Sequence, residues 1–223
     1  MKNARKIFTP AELEQLQARI ARLETRTEAE VVCAVATESG RYDRPESLCG
    51  LVLALVALLG LEKGLALGGW AEASGLSLGG QVVTIVVGFT VGSMLASYWH
   101  ELRRLFTSAR EIDAEVQRGL HQVFSQHEIG GTRQGGGMLI YLSLYEHRLE
   151  IRCDHNLVAA LPPLTLAAIR DAALPRLHAG EYAAGLLAAL DRAEPALAQA
   201  LPATGEPRSR LSDKVLLFHP RPR

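Results

Sequence analysis

Two long stretches without a charged side chain lie in the middle of this 223-residue chain and limit what it can fold into. Residues 76–99 carry no charge and are long enough to cross the ~30 Å hydrocarbon core of a bilayer as one helix. Residues 47–61 are also uncharged, but as a helix they rise only ~22 Å, so the first helix must continue through Glu62 and Lys63. We therefore predict a transmembrane hairpin at residues 45–100, inserted in an otherwise water-soluble domain.

The residues around the two runs predict how the hairpin packs and how it is oriented. Gly88, Gly92, Ser93 and Ala96 follow the spacing of small residues that allows two membrane helices to approach closely. Arginines lie just outside both ends of the hairpin, whereas the connection between the helices offers only Lys63. The positive-inside rule then predicts a multi-pass inner-membrane protein with both termini and the soluble domain in the cytoplasm. The polar start of the chain does not resemble a cleavable signal peptide.

Composition excludes some functions. Lys plus Arg equals Asp plus Glu at 24 each, and this zero balance argues against a nucleic-acid partner. The three cysteines, Cys33, Cys49 and Cys153, have no CxxC spacing, so we expect reduced thiols that behave as small hydrophobic residues. They supply neither a metal-ligand set nor a disulfide framework.

Outside the hairpin, the pattern predicts an α/β domain with a small mixed sheet flanked by helices. Thr9 to Glu12 has the form of a capping box before an amphipathic helix, and residues 29–37 have the β-branched content of a buried strand. A second capping box at Ser108 precedes a helix that ends near Gln126.

The C-terminal half adds a hairpin and two more helices. Residues 138–144 form an apolar run and residues 148–153 alternate, which is typical of a buried strand paired with a half-exposed one. Helices are predicted at 165–178 and 182–200. The domain is thus split into residues 1–44 and 101–201, and residues 202–223 form a loosely ordered tail apart from a short apolar run at 215–218.

One group of polar residues emerges as a candidate binding site. If the strand hairpin turns at Glu146-His147, Ile140 pairs with Cys153 and the glycine-rich loop approaches the residues after the second strand. The candidate binding residues are Gly135, Gly136, Gly137, Asp154, His155 and Asn156. The alternative interpretation is a polar loop that only closes the end of a strand.

Several segments of the sequence resemble the TPM-domain family, which includes photosystem-repair proteins of the thylakoid lumen. The N-terminal matches are residues 9–12 and 23–32, and the later matches are residues 137–142, 148–151, 161–163 and 175–186. The resemblance covers most of the soluble part and is greatest to a bacterial branch in which paired membrane helices interrupt the domain. Relatives tend to have glycine where this chain has Asn156, and asparagine tolerates the same left-handed turn.

The resemblance implies a small mixed sheet with helices on both faces, but it leaves two classes of function open. The favoured one is a non-catalytic membrane module that acts in membrane protein assembly, repair or quality control, with the lipid bilayer and another membrane or envelope protein as partners. The alternative is a metal-assisted phosphatase, because that activity has been attached to plant relatives. The sequence identifies no catalytic residue. Asp154 has only Asp43 and Glu38 as potential companion ligands, so we expect no metal site and no cofactor beyond a weakly bound divalent cation such as calcium.

Overall fold

The computed structural model describes residues 2–67, 77–99, 107–129, 136–162, 164–204 and 215–222. Within these residues the helices are α1 (Pro10–Glu24), α2 (Asp43–Leu67), α3 (Leu78–Tyr98), α4 (Ala109–Gln126), α5 (His155–Ala160), α6 (Thr165–His178) and α7 (Tyr182–Ala200). The strands are β1 (Glu30–Ala36), β2 (Gly137–Ser143), β3 (Arg148–Cys153) and β4 (Val215–Phe218). The chain divides into two units, Met1–Gly40 with Ala114–Arg223 and Arg41–Asp113.

The first unit is built on a mixed four-stranded sheet in the order β3-β2-β1-β4. β1 is parallel to β2 and to β4, whereas β2 and β3 form an antiparallel hairpin. β1 and β2 are buried along their whole length, as their continuous apolar sequences predict. The predicted α/β fold is therefore confirmed, including the placement of residues 29–37 and 138–144 in one sheet.

Both faces of the sheet are covered by helices. Val31, Cys33 and Val35 of β1 join a core with residues of α1, α6 and α7. The opposite face meets α4, because a Cβ atom at Gly119 would lie 2.7 Å from the Tyr141 hydroxyl. Burial on both faces explains why neither strand has the alternating pattern of a half-exposed sheet.

Local signals in the sequence fix several helix ends. Thr9 forms the predicted capping box with Glu12, and the Glu12 side chain in turn accepts the Thr9 N–H at 2.8 Å. The Thr9 hydroxyl also donates to the Glu12 carboxylate at 2.8 Å, and the bonds from the Thr9 N–H and hydroxyl lower the pKa of that carboxyl. Ser108 accepts the N–H of Glu111 at 3.2 Å at the start of α4. Gly180 takes a φ of +80° just after α6, a left-handed conformation that glycine adopts without steric cost.

The β2–β3 hairpin corrects one predicted register. Met138, not Ile140, is the partner of Cys153, and Ile140 pairs with Ile151. The N–H groups of Leu144 and Tyr145 bond to carbonyl oxygens of Ala36 and Thr37, both at 3.0 Å, so the chain continues along β1 after β2 ends. Residues 144–147 then make the turn, which shifts the pairing by two residues from a turn at Glu146-His147.

The second unit contains the two long apolar helices, α2 and α3. Their Cα atoms approach closely, because a Cβ at Gly88 would lie 2.8 Å from the Ala54 Cα and one at Gly92 would lie 2.8 Å from the Gly50 Cα. The predicted close packing through small residues is therefore confirmed. By length and composition both helices can cross a membrane, and only 22% of the apolar window of α2 and 11% of that of α3 is buried.

Candidate functional site

Three of the six predicted binding residues, Gly136, Gly137 and Asp154, meet at the amino end of β2, where Asp154 is the central group. Asp154 is buried, and one carboxylate oxygen accepts N–H groups from Gly136 at 2.6 Å and Gly137 at 3.1 Å. The other oxygen accepts the Leu157 N–H at 2.8 Å and caps the start of α5. Asp154 thus ties the end of the sheet to the next helix through three backbone donors.

The other predicted residues have different surroundings. His155 and Asn156 are exposed in the first turn of α5. Gly136 and Gly137 are buried, and a Cβ at Gly137 would lie 1.6 Å from the carbonyl oxygen of Ile129, so only glycine fits there. Gly135 lies outside the described residues. The structure therefore brings Gly136, Gly137 and Asp154 into direct contact, while a role in binding stays a prediction.

Glu38 cannot assist Asp154 as a companion ligand. It follows the carboxyl end of β1, whereas Asp154 follows β3 and lies beside the amino end of β2. A seven-residue strand separates these two ends by ~20 Å. Glu38 instead pairs with Arg221, 3.3 Å from its guanidinium nitrogen. The described residues contain no group of three or more His, Cys, Asp or Glu side chains that could hold a metal ion.

A second polar cluster lies at the opposite end of the sheet. It consists of Thr37, Ser39, Tyr141, Ser143 and Glu146, and we call it the carboxyl-end cluster because it lies where the parallel strands β1 and β2 end. The Ser39 hydroxyl donates to the Ser143 hydroxyl at 2.7 Å and lies 3.0 Å from the Tyr141 hydroxyl. Ser143 donates in turn to Glu146, whose second oxygen accepts the Ser39 N–H at 2.8 Å.

All five members of the carboxyl-end cluster are buried. Burial raises the pKa of the Tyr141 phenol, with Glu146 adding to the rise and the bond to Ser39 opposing it. The hydroxyls and the carboxylate are bonded to one another or to backbone, so the network fixes the ends of two strands. As it stands, it presents no exposed nucleophile to a substrate.

Sequence reasoning missed the carboxyl-end cluster although a signal for it exists. Thr37, Glu38 and Ser39 directly follow one buried run, and Ser143 and Glu146 end the next. The carboxyl ends of parallel strands meet at one edge, and α/β proteins commonly place their sites there. We instead derived a site from the antiparallel hairpin alone, and that reasoning led to the opposite end of the sheet.

The C-terminal segment, residues 215–222, covers part of this end. β4 pairs with β1 from Cys33 to Ala36, and the Thr37 N–H then donates to the Phe218 carbonyl at 3.1 Å. The Glu38 N–H donates to the Pro220 carbonyl at 2.9 Å, and the Thr37 hydroxyl lies 2.9 Å from His219 Nδ1. The apolar run that we had set apart from the tail is thus an edge strand.

Together these features define a protein class: an α/β domain whose chain is interrupted, between β1 and α4, by two long apolar helices. The TPM-domain family model matches residues 105–196 of this chain. The match includes β2, β3 and the helices around them and lies in the part where sequence resemblance had indicated this family. It does not extend to α1, β1 or β4.

One solved structure supports the fold. The chain is similar to the NMR structure of the BA42 protein from the psychrophilic bacterium Bizionia argentinensis sp. nov., with a TM-score of 0.53 and 12% identity. The superposition covers 93% of this chain and 94% of that one. At this identity the likeness concerns the fold alone. No curated protein matches the chain.

Proposed function

We propose that this chain is a membrane-anchored, non-catalytic module that acts in the assembly, repair or quality control of another membrane or envelope protein. The observation that carries the proposal is the apolar, uncovered surface of α2 and α3. Leu78 is 81% exposed, Val83 61% and Val56 59%. Soluble proteins rarely expose so many large apolar side chains in one continuous region, whereas lipid would cover them.

Two threonine hydroxyls of α3 are also satisfied within the helix, as a bilayer requires, whereas the buried Ser93 hydroxyl has no hydrogen-bond partner among the described residues. Thr84 donates its hydroxyl proton to the Gly80 carbonyl at 2.9 Å, and Thr90 donates to the Val86 carbonyl at 2.8 Å. Bonding within the helix removes the need for water around these hydroxyls. This arrangement suits a membrane-spanning helix, and the flanking arginines predict an inner-membrane protein with both termini in the cytoplasm.

Cysteine labelling tests the membrane topology. In a variant whose native cysteines are replaced, Ser77→Cys and Ala179→Cys each provide one thiol at a position that is exposed in its own unit. With an impermeant reagent on intact cells, Ser77→Cys should label and Ala179→Cys should not. Both should label after permeabilisation, which controls for accessibility. Labelling of Ala179→Cys alone on intact cells would reverse the orientation, and labelling of both would contradict the anchored topology.

The binding role is supported by how the acidic groups of the domain are engaged. Asp154 accepts three backbone N–H groups, Glu146 bonds to Ser39 and Ser143, and Glu38 pairs with Arg221. A metal-assisted phosphatase usually needs several converging carboxylates, and these three lie in separate sets of contacts. We expect at most weak calcium binding near Asp154, because a cation would have to displace its N–H donors.

Two assays separate the binding module from the phosphatase alternative. The full chain in detergent, with Mg²⁺, Mn²⁺ or Ca²⁺ and p-nitrophenyl phosphate, should show no turnover above a protein-free control. Affinity purification from native membranes should recover a membrane or envelope protein reproducibly. Metal-dependent turnover that Glu146→Gln or Asp154→Asn abolishes, with the fold intact, would favour the phosphatase. Recovery of no specific protein would count against the binding role.

A further inference from the structure

The C-terminal segment is the most weakly built part of the sheet. β4 has four residues against seven in β1 and β2, and only its Leu216 is buried. Val215 and Leu217 are partly buried against the hydrophobic core that contains residues of α1. On the other face, the ring centroids of Phe218 and His127 are 6.2 Å apart.

The contacts that hold this segment are of a kind that another extended peptide can reproduce. Most of them join backbone to backbone along the edge of β1 and continue to Thr37 and Glu38. Arg221 adds one ion pair with Glu38, which is 9% exposed. Addition of a strand to a sheet edge draws its affinity from such main-chain bonds and its specificity from side-chain positions along the strand.

We propose that residues 215–222 form an exchangeable strap, and that the edge of β1 beneath it receives an extended segment of the partner protein. The partner segment matches the chemistry of the strap: four apolar residues whose side chains alternate between the two faces, followed within three residues by a basic side chain that reaches Glu38. This inference rests on the proposed binding function and names the chemistry of its partner. Departure of the strap also uncovers the adjoining carboxyl-end cluster.

Two native cysteines make the proposal testable in the unmodified chain. Cys33 in β1 is the register partner of Val215, so it lies beside the strap, whereas Cys153 lies in β3 at the far side of the sheet. Both thiols are buried, and burial raises the pKa of each to about 12. Each therefore reacts only when its surroundings open, by strap release at Cys33 or by opening of the rest of the domain at Cys153.

The experiment uses a synthetic peptide with the sequence of residues 213–223, in which cysteine replaces the residue equivalent to Val215 and carries a thiopyridyl disulfide. When the peptide takes the place of the strap, its cysteine lies opposite Cys33. The Cys33 thiolate then attacks the peptide sulfur, forms the mixed disulfide and releases thiopyridone. The control peptide carries the same group at the position of Leu217, which lies opposite Val35.

Mass spectrometry of the full chain in detergent then gives the labelling rate at each cysteine. We expect the matched peptide to label Cys33 at least about tenfold faster than Cys153, because partial opening occurs more often than global opening. It should also label Cys33 faster than the control peptide does. Equal rates at the two cysteines, equal rates for the two peptides, or no labelling of Cys33 would each overturn the strap. Failure to purify a partner from membranes would instead count against the binding role alone.

Discussion

Replacing Asp154 with alanine removes a carboxylate that three backbone N–H groups share at the junction of β2 and α5. The bonds are 2.6 Å to Gly136, 3.1 Å to Gly137 and 2.8 Å to Leu157. A hydrogen bond to a charged group contributes ~1.5–3 kcal/mol, and loss of a helix N-cap alone costs ~0.5–2 kcal/mol. The three bonds share one carboxylate and do not add fully, so we expect Asp154→Ala to lower the free energy of unfolding by about 3–5 kcal/mol.

Urea titration of the full chain in detergent measures this loss. Brief thiol labelling of the buried Cys153, which does not border the C-terminal segment, reports after each urea step the fraction of the domain that is unfolded. For a slope of about 2 kcal/mol/M, the midpoint should fall by about 2 M. His155→Ala is the matched control, because its side chain is exposed in the same turn and should change stability by less than ~0.5 kcal/mol. An Asp154→Ala midpoint equal to that of His155→Ala would refute the structural role.

Three further predictions concern packing. Arg19→Met should destabilise the domain by about 1–3 kcal/mol, because Arg19 bonds to Asp191 at 2.6 Å and to the largely buried Glu194. In the same urea titration, Arg170→Ala should change the free energy of unfolding little, because it removes only the exposed Arg170–Asp171 pair. Gly137→Ala should yield little folded protein by size-exclusion chromatography, because its Cβ would meet the Ile129 carbonyl; normal yield would contradict that close contact. Gly92→Leu should separate α2 from α3 and lower the thermal midpoint in detergent, whereas Gly79→Leu, with open space around its Cα, should not.

Much of the fold could be predicted from local patterns in the sequence. Thr9 and Glu12 specify the start of α1 because a capping box involves residues only three positions apart. The apolar runs that became β1 and β2 indicated burial on both faces, and the uncharged runs indicated α2 and α3. In each case the physical requirement, a satisfied backbone donor or a covered apolar surface, falls within one continuous segment.

The candidate site was harder to predict, because it depends on which segments become neighbours. The shift that pairs Met138 with Cys153 arises from hydrogen bonds that Leu144 and Tyr145 make to β1, a strand more than a hundred positions earlier in the chain. Asp154 was correctly placed beside Gly136 and Gly137, yet no pattern in the sequence indicated that both its oxygens accept N–H donors. Whether a carboxylate oxygen already accepts a hydrogen bond depends on three-dimensional contacts, and no local sequence pattern indicates it.

The sequence by itself determined most of the elements and the apolar hairpin, since side-chain period, capping and charge act within each segment. The exception is α5, in which Asn156 is helical and not in the predicted left-handed turn. Only the tertiary structure decided the sheet order, in which Val215 to Phe218 join β1 at its free edge. It also decided that Ser39, Ser143 and Glu146 form one buried network. The physical reason is that strand pairing and the burial of polar groups depend on residues far apart in the chain. Each buried donor needs an acceptor, and only the folded domain determines which acceptor lies within hydrogen-bond distance.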